Sequence, residues 1–146
     1  MDNSENRIMQ VLEAYKAAVY ERNVDAFLRL YDPEARVFDA WDVWSYEGAA
    51  ARRSAIEQWF TSLGVDRVKV VFDDVKVTAG QDLAVVSAIG AYAAISADGK
   101  ELRSMQNRFT WALKLEGNAW KIVHEHTSTP ISSNDTKAIF YRGKAA

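Results

Sequence analysis

Cysteine is absent from the 146 residues of this chain. Disulfide bonds, thiolate zinc sites and cysteine nucleophiles are therefore excluded. Histidine is nearly as scarce, since the chain has two, His124 and His126, both in the stretch WKIVHEHTSTP. Any acid–base chemistry must come from these two histidines and from Asp, Glu, Tyr and Ser side chains.

Long apolar runs and clusters of one charge are also missing. No apolar stretch approaches the roughly 20 residues of a membrane span, and the polar start MDNSENRIMQ has no signal-peptide pattern, so we expect a cytoplasmic protein. The 18 Lys and Arg residues are interleaved with 20 Asp and Glu residues, which gives a net charge of -2 rather than a basic stripe. We expect neither nucleic acid nor a membrane as a partner.

The first third of the chain has the periodicity of helices. Apolar residues at i, i+3, i+4 and i+7 spacing predict a helix over about residues 4–22. A shorter helix is predicted in VDAFLRLY, and the stretch ARVFDA is predicted to be a short strand with Val37 and Asp39 on one face. A third helix is predicted over about residues 49–63, where the following glycine ends it.

Beyond residue 64 the period of the pattern changes to two. Four long alternating stretches, separated by the turn sequences AGQD, ADGK and EGN, predict an antiparallel meander. Three helices followed by a strongly curved antiparallel sheet define an α+β fold, in which the helices cover one sheet face. The length and a hydrophobic content of 49% indicate a single domain over residues 1–146. Residues 131–146 form a polar C-terminal tail that we expect to extend or to swap onto a partner.

The inner face of the sheet is expected to carry a few polar groups among large apolar ones. On the third long strand, alternation predicts that these residues point inward: Met105, Asn107, Phe109, Trp111 and Leu113. On the last strand it predicts that these do: Trp120, Ile122, His124, His126 and Ser128. Arg108 and Glu125 are expected to point outward. With Asp39 and Tyr15 on the opposite wall, the pattern predicts a concave apolar site for a small molecule.

Asp39, Tyr15 and Asn107 carry the predicted chemistry of that site. A carboxylate that loses water becomes a better proton acceptor, which suits Asp39 as a general base. Tyr15 and Asn107 would donate hydrogen bonds to an oxygen that gains charge as the proton leaves. The alternatives are a core aromatic for Tyr15, an anchor of the WDVWSYEG loop for Asp39, and a structural hydrogen bond for Asn107.

The two histidines have three interpretations. A metal site needs a third and usually a fourth ligand, and Asp39 is the one evident candidate, so we expect no metal and no cofactor. A ligand-contacting or proton-shuttling role makes His124 and His126 candidate catalytic residues. A structural pair near the rim of the sheet is the remaining interpretation.

The predicted ligand-binding residues are mostly aromatic. Trp41 and Trp44 lie in a loop, where aromatic side chains have less reason to be core, so they are candidates for a lid. The other predicted lining residues are Trp59, Phe60, Met105, Phe109 and Trp111. The four tryptophans named here and Phe60 are also candidates for the hydrophobic core.

The order of elements and four local stretches resemble the nuclear transport factor 2-like superfamily, which includes ketosteroid isomerases, SnoaL-like polyketide cyclases and the association domain of calcium/calmodulin-dependent kinase II. VLEAYKAAV is similar to the isomerase segment whose tyrosine donates to the substrate oxygen, which corresponds to Tyr15. YDPEARVFD is similar to the segment that ends in the general-base aspartate, which corresponds to Asp39. MQNRF lies where the isomerases carry a protonated aspartic acid, and Asn107 takes that place. WKIVHEHTSTP resembles the end of the kinase association domain and of its bacterial SnoaL-like relatives.

The resemblance implies a cone-shaped, cystatin-like fold and leaves two functions open. The first is a SnoaL-like protein that binds a small, largely apolar molecule, as a cofactor-free proton-transfer enzyme of the isomerase or cyclase type. The second is a non-catalytic ligand-binding or oligomerisation module, forming a homodimer or a larger homo-oligomer through the outer sheet face. That outer face is predicted to carry Gln106, Arg108, Thr110, Lys114, Lys121, Val123, Glu125 and Thr127.

Overall fold

Three helices and six strands are found in residues 3–143, the part of the chain that the computed structural model describes. The helices are α1 (Asn3–Glu21), α2 (Val24–Leu28) and α3 (Ala49–Ser62). The strands are β1 (Tyr31–Phe38), β2 (Tyr46–Glu47), β3 (Arg67–Ala79), β4 (Leu83–Ile95), β5 (Glu101–Glu116) and β6 (Ala119–Ser128). They form one six-stranded sheet in the order β2-β1-β6-β5-β4-β3. The predicted α+β fold, with three helices on a curved sheet, is confirmed.

Helix α1 covers the inner face of the sheet with its apolar stripe. The buried residues of the helix are Ile8, Leu12, Tyr15, Ala18 and Val19. Full burial of a side chain such as Ile8 or Leu12 stabilises a fold by about 1.5–3 kcal/mol. The ring of Tyr15 packs against Phe27, Phe109 and Trp111 with centroid distances of 5.1, 5.7 and 5.6 Å. None of the helices in the described residues is long and apolar enough to cross a membrane.

The segment between α1 and β1 turns more tightly than the sequence predicts. Asn23 caps α2 by accepting a hydrogen bond from the backbone N–H of Ala26 at 3.0 Å. The helix ends at Leu28, and β1 begins at Tyr31 rather than within ARVFDA. Pro33 therefore lies inside a strand, and the pairing of β1 with β6 shifts in register around it, because proline has no N–H to donate to a neighbouring strand.

The sheet is mixed rather than antiparallel throughout. Strands β3 to β6 form the predicted antiparallel meander. Strand β1 lies beside β6 and runs parallel to it, a pairing that the local sequence pattern does not show. It sets Val37 beside Glu125 and Phe38 beside His126. The residue that follows β1, Asp39, is thereby brought next to the end of β6.

A β-bulge in β6 changes which of its residues face the helices. Leu113 pairs with Ile122 and Ala112 pairs with His124, so Val123 is an extra residue in β6. One extra residue reverses the alternation of every side chain that follows it. The buried positions are Trp120 and Ile122 before the bulge, and Glu125 and Thr127 after it. The predicted inward positions of His124, His126 and Ser128 and the predicted outward positions of Glu125 and Thr127 are therefore wrong.

The C-terminal tail folds back onto its own sheet. After β6 the chain turns through a bridge between Ile131 and Ala138 and then runs beside β5, where Phe140 O accepts a hydrogen bond from Gln106 N at 2.7 Å. Arg142 forms an exposed ion pair with Asp73 of β3 at 2.7 Å. In the described residues the tail packs on its own sheet instead of extending away from it, whereas its exchange onto a partner stays a prediction. The last three residues of the predicted tail, 144–146, lie outside the described part.

Candidate functional site

A cavity of about 510 Å³ lies between helices α1 and α3 and the inner face of the sheet. Its polar lining is made by Tyr15, Asp39, Arg52, Tyr92, Asn107, Glu125 and Thr127, among others. Its apolar lining includes Trp41, Ile56, Trp59, Leu63, Val68 and Met105. The volume suits a small organic molecule, and a few polar groups among aromatic and aliphatic ones are typical of such sites.

Asp39 enters this cavity because of the parallel pairing of β1 with β6. Its carboxylate accepts hydrogen bonds from the Thr127 hydroxyl and from the backbone N–H of Trp41, both at 3.3 Å. Thr127 Oγ1 also accepts from the backbone N–H of Ala40 at 2.9 Å, which ties the loop after β1 to β6. On the cavity side, Asp39 Oδ2 lies 3.4 Å from Arg52 Nη2. The carboxylate is thus held by three partners at the long end of the hydrogen-bond range.

Arg52 is a buried cation on α3, with 5% of its surface exposed. Its Nη1 donates to the Tyr31 hydroxyl at 3.0 Å, and its Nη2 lies 3.1 Å from Glu125 Oε2. Burial is the largest single influence on the Arg52 guanidinium and lowers its pKa, but Glu125, acting together with Tyr31, Tyr15 and Asp39, raises that pKa well above the ordinary value. Arg52 is therefore a permanent positive charge inside the fold.

Glu125 is the buried anion that balances Arg52, with 1% of its surface exposed. Its Oε1 accepts hydrogen bonds from Trp111 Nε1 at 2.9 Å and from the Tyr31 hydroxyl. Its Oε2 forms the ion pair with Arg52 but, within the described residues, has no partner in hydrogen-bond geometry. Glu125 and Asp39 share one guanidinium, and the shorter of its two carboxylate contacts is to Glu125.

Two tyrosine hydroxyls meet on the wall formed by α1 and β4. The hydroxyls of Tyr15 and Tyr92 are 2.9 Å apart. Burial raises the pKa of both hydroxyls well above their ordinary value, so both keep their protons at neutral pH. Either hydroxyl can donate to the other. The proton of the second hydroxyl is then free to donate to a molecule in the cavity.

Asn107 lies on β5 opposite Gly90 of β4. Its Oδ1 is buried and has no hydrogen-bond partner in residues 3–143. A Cβ at position 90 would lie 2.8 Å from Asn107 Oδ1 and 3.1 Å from Tyr92 Cε1. Glycine at position 90 thus leaves the space that the side chains of Asn107 and Tyr92 occupy. The unused Oδ1 can accept a hydrogen bond from a ligand, and Nδ2 is the donor end of the same amide.

The histidines do not line the cavity. After the bulge, His124 and His126 lie on the outer face, where their rings pack edge-on against Phe38 at 5.0 and 5.5 Å. His124 Nδ1 lies 2.8 Å from the backbone carbonyl of Arg36. The prediction that the two imidazoles point inward is wrong, because the bulge at Val123 is not visible in the sequence. Among the described residues, no group of three or more His, Asp or Glu side chains is arranged to hold a metal ion.

The predicted aromatic lining is divided between cavity, core and solvent. Trp41, Trp59 and Met105 line the cavity. Trp44 does not, since 96% of its surface is exposed. The remaining predicted lining residues, Phe60, Phe109 and Trp111, are buried in the hydrophobic core instead. The prediction that these four residues line the cavity is therefore wrong. For Phe109 and Trp111 on β5, alternation identifies the inner sheet face but not the depth of a side chain in it.

Sequence reasoning missed Arg52, Glu125, Tyr92 and Thr127. The position of Arg52 in the helical pattern is a usable signal. Arg52 precedes Ile56 by four residues and Phe60 by eight, so its side chain falls on the buried stripe of α3. For Tyr92 the alternation of β4 is the signal, since Val86, Ala88 and Ala94 on the same face are buried. Glu125 and Thr127 have no local signal, because the bulge decides their direction.

The fold is the cystatin-like fold that nuclear transport factor 2-like proteins have. The family model of the SnoaL-like domain matches residues 8–132, and the chain belongs to that family. No curated protein matches this chain in sequence.

Solved structures with this fold have low sequence identity to the chain. A nuclear transport factor 2-like protein of unknown function from Pseudomonas putida is 24% identical, with a TM-score of 0.82 over 94% of both chains. A proposed calcium/calmodulin-dependent protein kinase II association domain from Xanthomonas campestris is 19% identical, with a TM-score of 0.73 over 87% of this chain and 88% of that one. A nuclear transport factor 2-like protein with a cystatin-like fold from Novosphingobium aromaticivorans is 15% identical, with a TM-score of 0.74 over 97% of this chain and 84% of that one.

Proposed function

We propose that this protein binds a small, largely apolar carbonyl compound in its cavity and moves a proton on it without a cofactor, with Asp39 as the base. One observation carries the proposal: the carboxylate of Asp39 lines the same cavity as two neutral hydrogen-bond donors, the Tyr15–Tyr92 pair and the Asn107 amide. A base and neutral donors around one apolar space are the parts that proton abstraction next to a carbonyl requires.

The reaction follows from what each group does. Asp39 takes the proton from the carbon beside the carbonyl, and the electron pair of that C–H bond becomes the C=C bond of an enolate. The carbonyl oxygen gains negative charge, which a tyrosine hydroxyl and the Asn107 amide stabilise, and each such donor contributes about 3–4 kcal/mol in the transition state. Where the substrate has a β,γ C=C bond, the enolate is a dienolate, and return of the proton from Asp39 to the γ-carbon moves that double bond into conjugation and completes an isomerisation. Burial supports the donor role of Tyr15, since its raised pKa keeps the hydroxyl neutral.

The apolar lining favours a mostly hydrocarbon substrate. Trp41, Trp59 and Met105 surround the space beside Asp39. Desolvation by these side chains strengthens each hydrogen bond to the developing charge. Arg52 contacts Asp39 on the cavity side, while its shorter carboxylate contact goes to Glu125. The guanidinium thus orients the base and is shared with a second carboxylate.

Deuterium exchange on model ketones tests this proposal even while the natural substrate is unidentified. A set of β,γ-unsaturated cyclic ketones of one to four rings is incubated with the protein in D₂O, and loss of the α-proton signals is followed by NMR. We expect Asp39→Asn to slow the exchange at least 100-fold, because the amide cannot accept the proton. The matched control Asp82→Asn changes an exposed carboxylate in the turn before β4 and should exchange at the wild-type rate. Exchange that is equal in wild type and Asp39→Asn would contradict the role of Asp39.

The second candidate function is a binding and assembly module without catalysis. It is supported by apolar side chains on the outer sheet face, where Val71 and Val85 are 44% and 49% exposed. Likeness in fold to the proposed association domain from Xanthomonas campestris also favours it. In this alternative a second copy of the chain covers the outer face, and the cavity holds a small molecule unchanged. Binding of a ketone without α-proton exchange in the wild type would favour this function over the first.

A further inference from the structure

The C-terminal strap, residues 137–142, lies outside the 8–132 segment that matches the family model, yet it packs beside the cavity. Strand β6 ends opposite Arg108, so among the described residues the first part of β5 has no β6 partner along that edge. The strap covers this edge. Gln106 N donates to Phe140 O at 2.7 Å, and the Tyr141 hydroxyl donates to Ser104 O at 2.7 Å.

One ring of the strap contacts the loop that carries the candidate base. Phe140 stacks on Trp41 with a centroid distance of 5.5 Å and an angle of 11° between the ring planes. Trp41 lines the cavity, and its backbone N–H donates to Asp39 Oδ1 at 3.3 Å. A displacement of Phe140 would therefore shift Trp41 and, through Trp41, both the cavity lining and Asp39.

The loop at this contact has a strained backbone. Val43 N donates to Trp41 O at 2.8 Å across Asp42, whose φ is 68°. A turn closed over one residue with positive φ is unfavourable for any residue with a side chain, and it persists where surrounding contacts hold it. The Phe140 ring is such a contact, and it comes from outside the loop. We expect removal of the ring to let this turn relax and to move Trp41 away from the cavity.

We propose that the strap is a gate for the cavity, in which Phe140 holds Trp41 over the mouth and so controls the entry and exit of the ligand. The role of the cavity as the ligand site rests on the proposed function, whereas the closed position of Trp41 does not. Phe140 acts through Trp41 and is a positioning residue. Entry of a ligand requires the two rings to separate, so the strength of this stack limits the rate at which ligands exchange.

Hydrogen exchange measured by mass spectrometry tests the gate without a ligand. Peptides that cover residues 40–46 should exchange about 3- to 10-fold faster in Phe140→Ala than in the wild type, the factor that corresponds to loss of an aromatic pair. The control Ile139→Ala removes the neighbouring exposed side chain, which is not on Trp41, and should exchange as the wild type does. Phe140→Tyr keeps the flat ring and should restore slow exchange.

Two outcomes would overturn the gate. In the first, residues 40–46 exchange equally in Phe140→Ala and the wild type. In the second, exchange rises to the same extent in α1 and β4 as in the loop, which would make Phe140 a general stabilising residue. If Phe140→Ala does not fold, Phe140→Leu takes its place in the same experiment, because leucine keeps an apolar contact but cannot stack on Trp41.

The release of a fluorescent probe measures the rate at which the gate lets a ligand leave. Dissociation of 8-anilinonaphthalene-1-sulfonate, followed by stopped flow, should be faster in Phe140→Ala by a factor similar to that of loop exchange. Equal dissociation rates in Phe140→Ala and the wild type would overturn the control of ligand exit by Phe140, whatever the loop exchange shows. If the ketones show no α-proton exchange, the proposed chemistry fails, but the loop exchange of Phe140→Ala is unaffected by that result.

Discussion

Arg52 joins two carboxylates that differ in burial. The side chain of Glu125 is 1% exposed and that of Asp39 is 21% exposed, and both lie near the same guanidinium. Two ions buried together are costly to desolvate, so such a pair adds little net stability compared with apolar side chains. Loss of one member is costly, however, because the other charge stays buried. The cluster therefore makes the orientation of Asp39 dependent on residues that need not touch a ligand.

Glu125→Gln should lower the free energy of unfolding by about 3 kcal/mol, because it leaves the guanidinium of Arg52 with Asp39 as its remaining carboxylate partner. Urea unfolding at neutral pH measures this change. Glu57→Gln is the matched control, since Glu57 pairs with Arg53 at 3.6 Å on the exposed side of α3, the helix that carries Arg52. We expect the control to change stability by less than about 0.5 kcal/mol. Equal effects of the two substitutions would argue against a structural role for the buried pair.

At single positions, the sequence is informative where polar residues interrupt an apolar stripe. Tyr15 and Asn107 are recognisable in this way, and the structure brings both to the cavity with Asp39. Arg52 is easily overlooked because a charged residue on a helix is usually exposed. Trp44 is a misleading candidate because a loop position does not tell whether an aromatic side chain points toward the protein or toward solvent. Which of these residues act on a ligand stays a prediction.

Among the elements, β6 shows where prediction from alternation fails. The existence of this strand and the antiparallel partner β5 follow from the period of the sequence. The direction of its second half does not, because one extra residue, Val123, reverses it. The parallel pairing of β1 with β6 is equally hidden, since no local pattern specifies a partner distant in sequence. The candidate site depends on both features, so the sequence predicts the fold better than the site.

Deletion of Val123 should leave the fold intact, at a cost of about 1–2 kcal/mol, because Ile122, Glu125 and Thr127 keep their inward direction in a regular strand. Deletion of Lys121 is the contrasting control, because it closes the same bulge but turns Ile122 out of the core and sets the smaller Val123 in its place. We expect the Lys121 deletion to be about 1 kcal/mol less stable than the Val123 deletion, the usual cost of replacing a buried Ile by Val. Urea unfolding compares the two. Equal stability would contradict the assigned register.

For the molecule as a whole, the two faces of the sheet have separate roles. The inner face and the helices enclose the cavity, while the outer face leaves apolar residues such as Val71 and Val85 in solvent. Val85 pairs with Ala112, which pairs with His124, so it lies at the centre of the outer face. An exposed apolar patch on an open sheet face is a common site for association of two copies.

Val85→Lys should convert a homodimer into a monomer, because the buried ammonium groups of two copies would repel each other. Size-exclusion chromatography with light scattering gives the mass, and a wild-type mass near twice 16.4 kDa is expected. Val65→Lys adds the same charge at an exposed site between α3 and β3 and should leave the mass unchanged. A wild-type monomer at micromolar concentration would contradict assembly through this face.

Gly90 has a consequence for the comparison of related sequences. The side chains of Asn107 and Tyr92 occupy the space that a Cβ atom at position 90 would need. A larger residue at this position requires the Asn107 amide and the Tyr92 ring to shift from where they lie here. A triplet of Gly, Tyr and Asn at positions 90, 92 and 107 is therefore the combination that keeps this arrangement. Within the SnoaL-like family, this triplet would distinguish the members that have this arrangement of Tyr92 and Asn107 from those that share only the fold.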